Sequence, residues 1–137
     1  MFIERTLSGY FVEMSDFFPV MLLTGPRQVG KTTFLSRIAE PEREYVTLDD
    51  LLLCDFARRD PKGFLERYRP PVLIDEIQYA PELLPYIKIQ VDERRRTDHD
   101  HSNGMYWLTG SQQFQMMKGV TESLAGRVGI VDMLGLR

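Results

Sequence analysis

The stretch "LLTGPRQVGKTTFL", Leu22 to Leu35, runs an apolar segment into a loop with two glycines and a lysine, and then into helix-forming residues. Its centre, Gly25-Pro26-Arg27-Gln28-Val29-Gly30-Lys31-Thr32, satisfies G-x-x-x-x-G-K-[ST] in full, in the strand-then-helix setting that the pattern requires. The glycines let the backbone curl so that successive N–H groups face phosphate oxygens with no Cβ in the way. The helix that begins near Lys31 offers its unpaired N–H groups and the positive end of its dipole to the same phosphates. Lys31 then reaches the β- and γ-phosphates, and the Thr32 hydroxyl is a ligand for Mg²⁺. Thr33 closes the stretch as a residue that packs or caps.

A phosphate cradle needs a second group on the metal side. In "VLIDEIQ" the apolar Val72, Leu73 and Ile74 bury a strand, and Asp75 and Glu76 emerge at its carboxyl end. Ligands of open parallel sheets bind at that edge. Asp75 is the candidate Mg²⁺ ligand, and Glu76 the candidate general base that orients and deprotonates the attacking water. A GTPase switch would show a glycine shortly after the aspartate and an Asn-Lys-x-Asp guanine reader, and the chain has neither. ATP is favoured over GTP, and water over a small-molecule acceptor. "WLTGSQ" places Thr109 and Ser111 where a hydroxyl could sense the γ-phosphate, although Ser111 would serve equally as the N-cap of the next helix. Arg127 in "SLAGR" is either a surface arginine or one that contacts nucleotide in its own or a neighbouring subunit.

Around these motifs, strands alternate with helical segments, which argues for a parallel sheet covered on both faces. Ile3, Leu7, Tyr10, Met14 and Phe17 predict one apolar stripe of a first helix ending before Pro19. "VMLLTG", "EYVTLDD", "PPVLIDEIQ", "MYWLTGS" and "VGIVDML" read as five strands. "KTTFLSRIAE", with Phe34, Leu35 and Ile38 on one side, "LLLCDFARR", capped by Asp49 or Asp50, and "PKGFLERY" read as helices. A further helix is expected to start near Pro85, with Tyr86, Ile87 and Val91 as its apolar side. "QQFQMMKG" is expected to stop at Gly119 and "TESLAGR" to form a separate turn, with Met116 and Met117 in the core.

At 137 residues the chain fits one domain. Hydrophobic residues at 43% and charged residues at 27% exclude a disordered or fibrous class. The net charge of −3 gives no overall basic field for nucleic acid, so DNA contact would rest on the Arg94-Arg95-Arg96 cluster, which equally suits a helix C-terminus. His99 and His101 in "TDHDH" read as solvated, and the single Cys54 as a buried free thiol in a reducing compartment. Glu4, Arg5, Glu13 and Asp16 interrupt any signal-peptide core, and no segment approaches the roughly 20 apolar residues of a membrane span, so a cytoplasmic protein is expected.

With "GPRQVGKTT", a strand ending "LDD", "IDEIQ", "LTGS" and "SLAGR" together, the chain resembles the prokaryotic AAA-type P-loop ATPases over nearly its whole length, from about Phe2 to Leu136. The resemblance implies a three-layer α/β/α fold: a mostly parallel five-stranded sheet with the P-loop strand central, flanked by the fourth and fifth. It implies that Gly25 to Thr33 bind ATP, that Asp75 and Glu76 serve metal and water, and that Ser111 and Arg127 are candidate sensors. It also implies that residues 1–137 form the N-terminal ATPase core of a longer protein, with a helical region and a C-terminal domain beyond. A nucleotide-dependent switch with little turnover, and a DNA-associated module, are the alternatives; a homo-oligomer and a protein partner stay open.

Overall fold

In the computed structural model, which describes residues 2–26 and 29–133 with the side chains of residues 2–5 and Phe114 left aside, the chain runs α1 (Phe2–Ser15), β1 (Val20–Thr24), α2 (Lys31–Ile38), β2 (Glu44–Thr47), α3 (Leu51–Arg59), α4 (Pro61–Arg67), β3 (Val72–Asp75), α5 (Leu83–Thr97), β4 (Tyr106–Gly110), α6 (Phe114–Leu124) and β5 (Val128–Asp132). The strands form one sheet in the order β2-β3-β4-β1-β5, and every pairing is parallel. β1 lies inside the sheet between β4 and β5, the flanking that the resemblance implies.

Side chains alternate between the two faces, because successive residues of a strand point to opposite sides. Val20, Leu22, Val46, Val72, Ile74, Tyr106 and Leu108 join a core covered by α3, α4, α5 and α6. Met21, Leu23, Leu73, Trp107 and Val131 join a second core under α1 and α2. Asp75 stands two residues after Leu73 and therefore emerges on the α2 side, toward the loop that ends β1. Burial on both faces is why β1, β3 and β4 read as apolar runs rather than as alternating ones, whereas the edge strands β2 and β5 are partly exposed.

Two features of the second core hold the sheet's other end. Phe11 of α1 meets Trp107 edge-on with centroids 5.0 Å apart, and Trp107 Nε1 donates to Ser15 Oγ at 2.9 Å. Arg43, before β2, stacks 4.0 Å over the Trp107 ring. Its guanidinium donates to Glu40 at 2.7 and 2.9 Å, to the Val72 carbonyl at 3.2 Å and to the Gly104 carbonyl at 2.7 Å. This cation is almost wholly buried yet fully used, and two of its acceptors are backbone carbonyls at the starts of β3 and β4. Arg43→Ala strips both carbonyls of a charged donor and Trp107 of its cover, and should destabilise the fold by about 3 kcal/mol. The check is a lower urea midpoint at unchanged slope.

Several expectations need correction. The buried stripe of α1 is Leu7 and Phe11, extended by the partly buried Met14 and Phe18, whereas Tyr10 is half exposed and Phe17 more so. The helix ends at Ser15, so Phe17 is no longer on a helical stripe. The side chain of Ile3 lies outside the described residues. α5 begins at Leu83, with Pro85 inside its first turn, where a missing N–H costs nothing. This brings Leu83 and Leu84 into the core and leaves Tyr86 partly exposed. α6 passes straight through Gly119, where a Cβ would meet Leu84 Cδ1 at 3.4 Å, near ordinary contact distance. Cys54 is partly buried and its Sγ donates to the Tyr79 carbonyl at 3.4 Å. Asp50, not Asp49, caps α3, accepting from the N–H groups of Leu52 and Leu53. Met116 is core and Met117 packs against it. Among the described residues no helix is long and apolar enough to cross a membrane.

Candidate functional site

The loop after β1 leaves the sheet at Gly25, whose N–H donates to the Gly110 carbonyl of β4 at 3.3 Å, and ends at Gly30, the N-cap of α2. Gly30 has φ 80°, and a Cβ on it would meet nothing within 4 Å. Backbone conformation, not crowding, therefore calls for glycine at this point. Gly25 has φ 153°, and a Cβ there would press to 3.3 Å on Val29 Cγ2. Pro26 is exposed and Val29 partly so, while Arg27 and Gln28 lie outside the described residues.

Lys31 opens α2 and is 3% exposed. Its Nζ donates to the carbonyls of Gly25 and Pro26, each at 2.8 Å, which folds the ammonium back along its own loop. Thr32 follows, and its hydroxyl donates to Asp75 Oδ1 across the gap between α2 and β3. Thr33 is exposed on the first turn, so it does not pack as expected.

Asp75 gathers more hydroxyls than its motif announces. Besides Thr32, Thr109 Oγ1 donates to Oδ1 at 2.6 Å, Thr47 Oγ1 donates to Oδ2 at 2.9 Å, and Tyr45 Oη reaches Oδ2 at 3.5 Å. Burial, and then the Asp75 charge, push the Tyr45 phenol above its ordinary range, which keeps it protonated and donating. Tyr45 and Thr47 come from β2, paired in parallel with β3 so that Thr47 lies opposite Asp75. Residues two apart on a strand share a face, and that spacing was the available signal for them.

Glu76 adopts φ 62° and ψ 54°, a left-handed conformation that is uncommon and strained for a residue with a Cβ. Its N–H donates to Thr109 Oγ1 at 2.9 Å, so one threonine hydroxyl holds both acidic residues, accepting from Glu76 and donating to Asp75. The Glu76 side chain accepts from Gln78 Nε2 at 2.9 Å. Glu76 and Asp75 are each 7% exposed.

Ser111 does not cap α6: the cap position is Gln113, and no side chain caps that helix. The Ser111 hydroxyl is buried without a hydrogen-bond partner among the described residues. Arg127 is placed elsewhere. It precedes β5, and its carbonyl accepts from Val20 N–H at the start of β1, whereas the loop follows the end of β1. About 13 Å of strand separates the two edges. The Arg127 guanidinium forms a two-pronged pair with Asp92 of α5 at 2.7 and 3.0 Å, and Nη1 donates to the Ala125 carbonyl at 2.8 Å. That contact lowers the Asp92 carboxyl below its usual range and raises the guanidinium. The structure therefore brings Lys31, Thr32, Asp75, Glu76 and Ser111 to one sheet edge and leaves Arg127 at the other.

The remaining basic cluster is committed to the end of α5. Arg94 donates to the His101 carbonyl at 2.8 Å, Arg95 to the Gly126 carbonyl at 3.3 Å, and Arg96 pairs with Glu93 at 2.7 Å. His101 pairs with Asp98, which raises its imidazole. Among the described residues no group of three or more His, Cys, Asp or Glu is placed to hold a metal ion. A magnesium site does not need one. Mg²⁺ takes one or two carboxylates and completes its shell with phosphates and water, so the oxygen pair of Thr32 and Asp75 fits it in chemistry.

The chain is 37% identical over 119 residues to an uncharacterized protein of Mycobacterium bovis and, to the same extent, to one of Mycobacterium tuberculosis. The match covers 86% of this chain and 25% of each relative, so the chain spans about a quarter of the length of the curated relatives it matches. The sequence profile of the AAA domain family matches residues 18–137, from the approach to β1 through the loop, the acidic strand end and β5. With its all-parallel sheet and its glycine loop ahead of α2, the chain belongs to the AAA domain family.

Proposed function

We propose that this chain binds ATP with Mg²⁺ between the loop Gly25–Thr33 and the end of β3, and hydrolyses it to ADP and phosphate. The observation that carries the proposal is the hydrogen bond from the Thr32 hydroxyl to Asp75, made beside Lys31 and Glu76. In this reading the loop N–H groups and Lys31 hold the phosphates, and Mg²⁺ on Thr32 and Asp75 would neutralise charge on their oxygens. Thr109 fixes the backbone of Glu76, whose carboxylate takes a proton from water. Ser111 offers its unused hydroxyl to the γ-phosphate or the attacking water. Arg127 is too far from its own loop to touch the same nucleotide; as a nucleotide contact it would serve a second copy.

Membership of a nucleotide-binding family supports the phosphate part of this reading. The acidic pair supports the hydrolytic part, because a glutamate next to the metal-side aspartate suits water as acceptor. A nucleotide-dependent switch with slow turnover is the second reading, favoured by the Gln78 contact that engages Glu76. The deciding experiment is phosphate release from ATP and from GTP, with Mg²⁺ and with excess chelator. Steady release from Mg-ATP, lost on chelation and weaker with GTP, is expected. Tight ATP binding with at most one turnover selects the switch, and no nucleotide binding at all rejects both.

A further inference from the structure

We propose that Gln78 is a positioning residue that couples Glu76 to the loop between β4 and α6, so that engagement of Ser111 by ligand re-aims the general base. The proposal rests on the hydrolytic reading above. Gln78 belongs to the short 3-10 turn Ile77–Tyr79 that follows Glu76. Its carboxamide uses both ends: Nε2 donates to Glu76 Oε1 at 2.9 Å, and Oε1 accepts from Ser111 N–H at 3.4 Å. One planar group thus spans the two segments.

The surroundings leave that group little freedom. A Cβ on Gly110 would lie 3.2 Å from Gln78 Oε1 and 3.1 Å from both Ile77 Cγ2 and Met116 Cε. Gly110 therefore keeps open the space that the carboxamide crosses. The Glu76 backbone N–H is engaged by Thr109, and at the side chain Gln78 Nε2 donates to the carboxylate. At the other end, Ser111 carries a buried hydroxyl with no partner among the described residues. A buried hydroxyl without a partner is costly, and an anionic oxygen of a ligand would satisfy it. Movement of Ser111 toward such an oxygen displaces Gln78 Oε1. Because the amide is planar, Nε2 and the carboxylate it holds move as well.

The test is a set of variants of the full chain: Glu76→Gln, Gln78→Ala, Gln78→Glu, Ser111→Ala and the double variant Gln78→Ala/Ser111→Ala. ATP affinity, kcat and the pH dependence of kcat are measured for each. Gln78→Ala should lower kcat about tenfold, one factor of ten per 1.4 kcal/mol, with ATP affinity unchanged. The double variant should be no slower than the slower single one, since residues acting through one chain of contacts are not additive. Gln78→Glu places a like charge beside Glu76 and should move the acid limb of the kcat profile to higher pH.

If the wild-type protein releases no phosphate, or Glu76→Gln is as fast as wild type, the hydrolytic reading fails and this inference falls with it. With wild type active and Glu76→Gln inactive, the inference alone is overturned by Gln78→Ala with wild-type kcat, or by losses that multiply in the double variant. Should Gln78→Ala fail to fold, seen as a lost thermal unfolding transition, the similarly sized Gln78→Glu decides: it also lacks the Nε2 donor, and wild-type kcat in that variant overturns the proposal.

Discussion

Glu76→Gln should lower steady ATP turnover by about 10²- to 10⁴-fold, the span that general-base catalysis contributes, while ATP affinity stays unchanged. The substitution is nearly isosteric, and a glutamine carbonyl still accepts from Gln78 Nε2 where Glu76 Oε1 does. The left-handed backbone at φ 62° is set by the bond to Thr109 and is shared by either side chain. What changes is the ability to take a proton from water. Asp75, with its four hydroxyl neighbours, is untouched, so the end of the site proposed for Mg²⁺ keeps its form. Phosphate release and ATP affinity are measured on the same preparation. A Glu76→Gln protein that releases phosphate at the wild-type rate removes Glu76 from the reaction.

The parts of this site that lie in contiguous residues were legible in the sequence, and the parts assembled by sheet order were not. Gly25 to Thr32 announce themselves because one loop must supply both the backbone turn and the polar groups. Asp75 and Glu76 followed from an apolar strand that ends in acids. Tyr45 and Thr47 reach Asp75 only because β2 pairs with β3, and no residue of β2 specifies its neighbour. Gln78 was visible within "IDEIQ" but acquires a task only beside Ser111, 33 residues on. Arg127 was open between surface and site until the direction of β5 put it at the far edge, against Asp92.

The same contrast runs through the fold. The three inner strands β1, β3 and β4 stood out by composition, since burial on two faces demands apolar runs, while the edge strands β2 and β5 are partly exposed and read as strands from Tyr45, Val46 and Thr47 and from Val128, Ile130 and Val131. The face of α1 did not stand out, because "GYF" and "DFF" offer two helical stripes of similar quality, one through Tyr10 and Phe17 and one through Phe11 and Phe18. Packing selects Phe11, which finds Trp107; beyond the helix end Phe18, with Met14, covers Gly129, where a Cβ would lie 2.9 Å from both. Gly119 reads as a helix stop in isolation, yet α6 continues through it.

Lys31→Met should weaken ATP binding by about 10²-fold, and Lys31→Ala by as much. Hydrogen bonds to a charged group are worth about 1.5–3 kcal/mol each, and each 1.4 kcal/mol is tenfold in affinity. Lys31 is buried at the base of the loop with its Nζ on the Gly25 and Pro26 carbonyls, so the protein itself holds the ammonium against the loop that the proposed function gives to the phosphates. Ligand phosphates offer stronger acceptors than those two neutral carbonyls, and the difference is what the substitution removes. The methionine variant keeps most of the stem volume where Lys31 packs beside Gly25, which separates lost charge from lost packing. If the loop carbonyls were the lysine's whole purpose, Lys31→Met would lower the melting temperature and leave ATP affinity alone. Titration of nucleotide binding alongside thermal unfolding tells the two apart, and wild-type affinity in Lys31→Met would remove the lysine from the phosphate site.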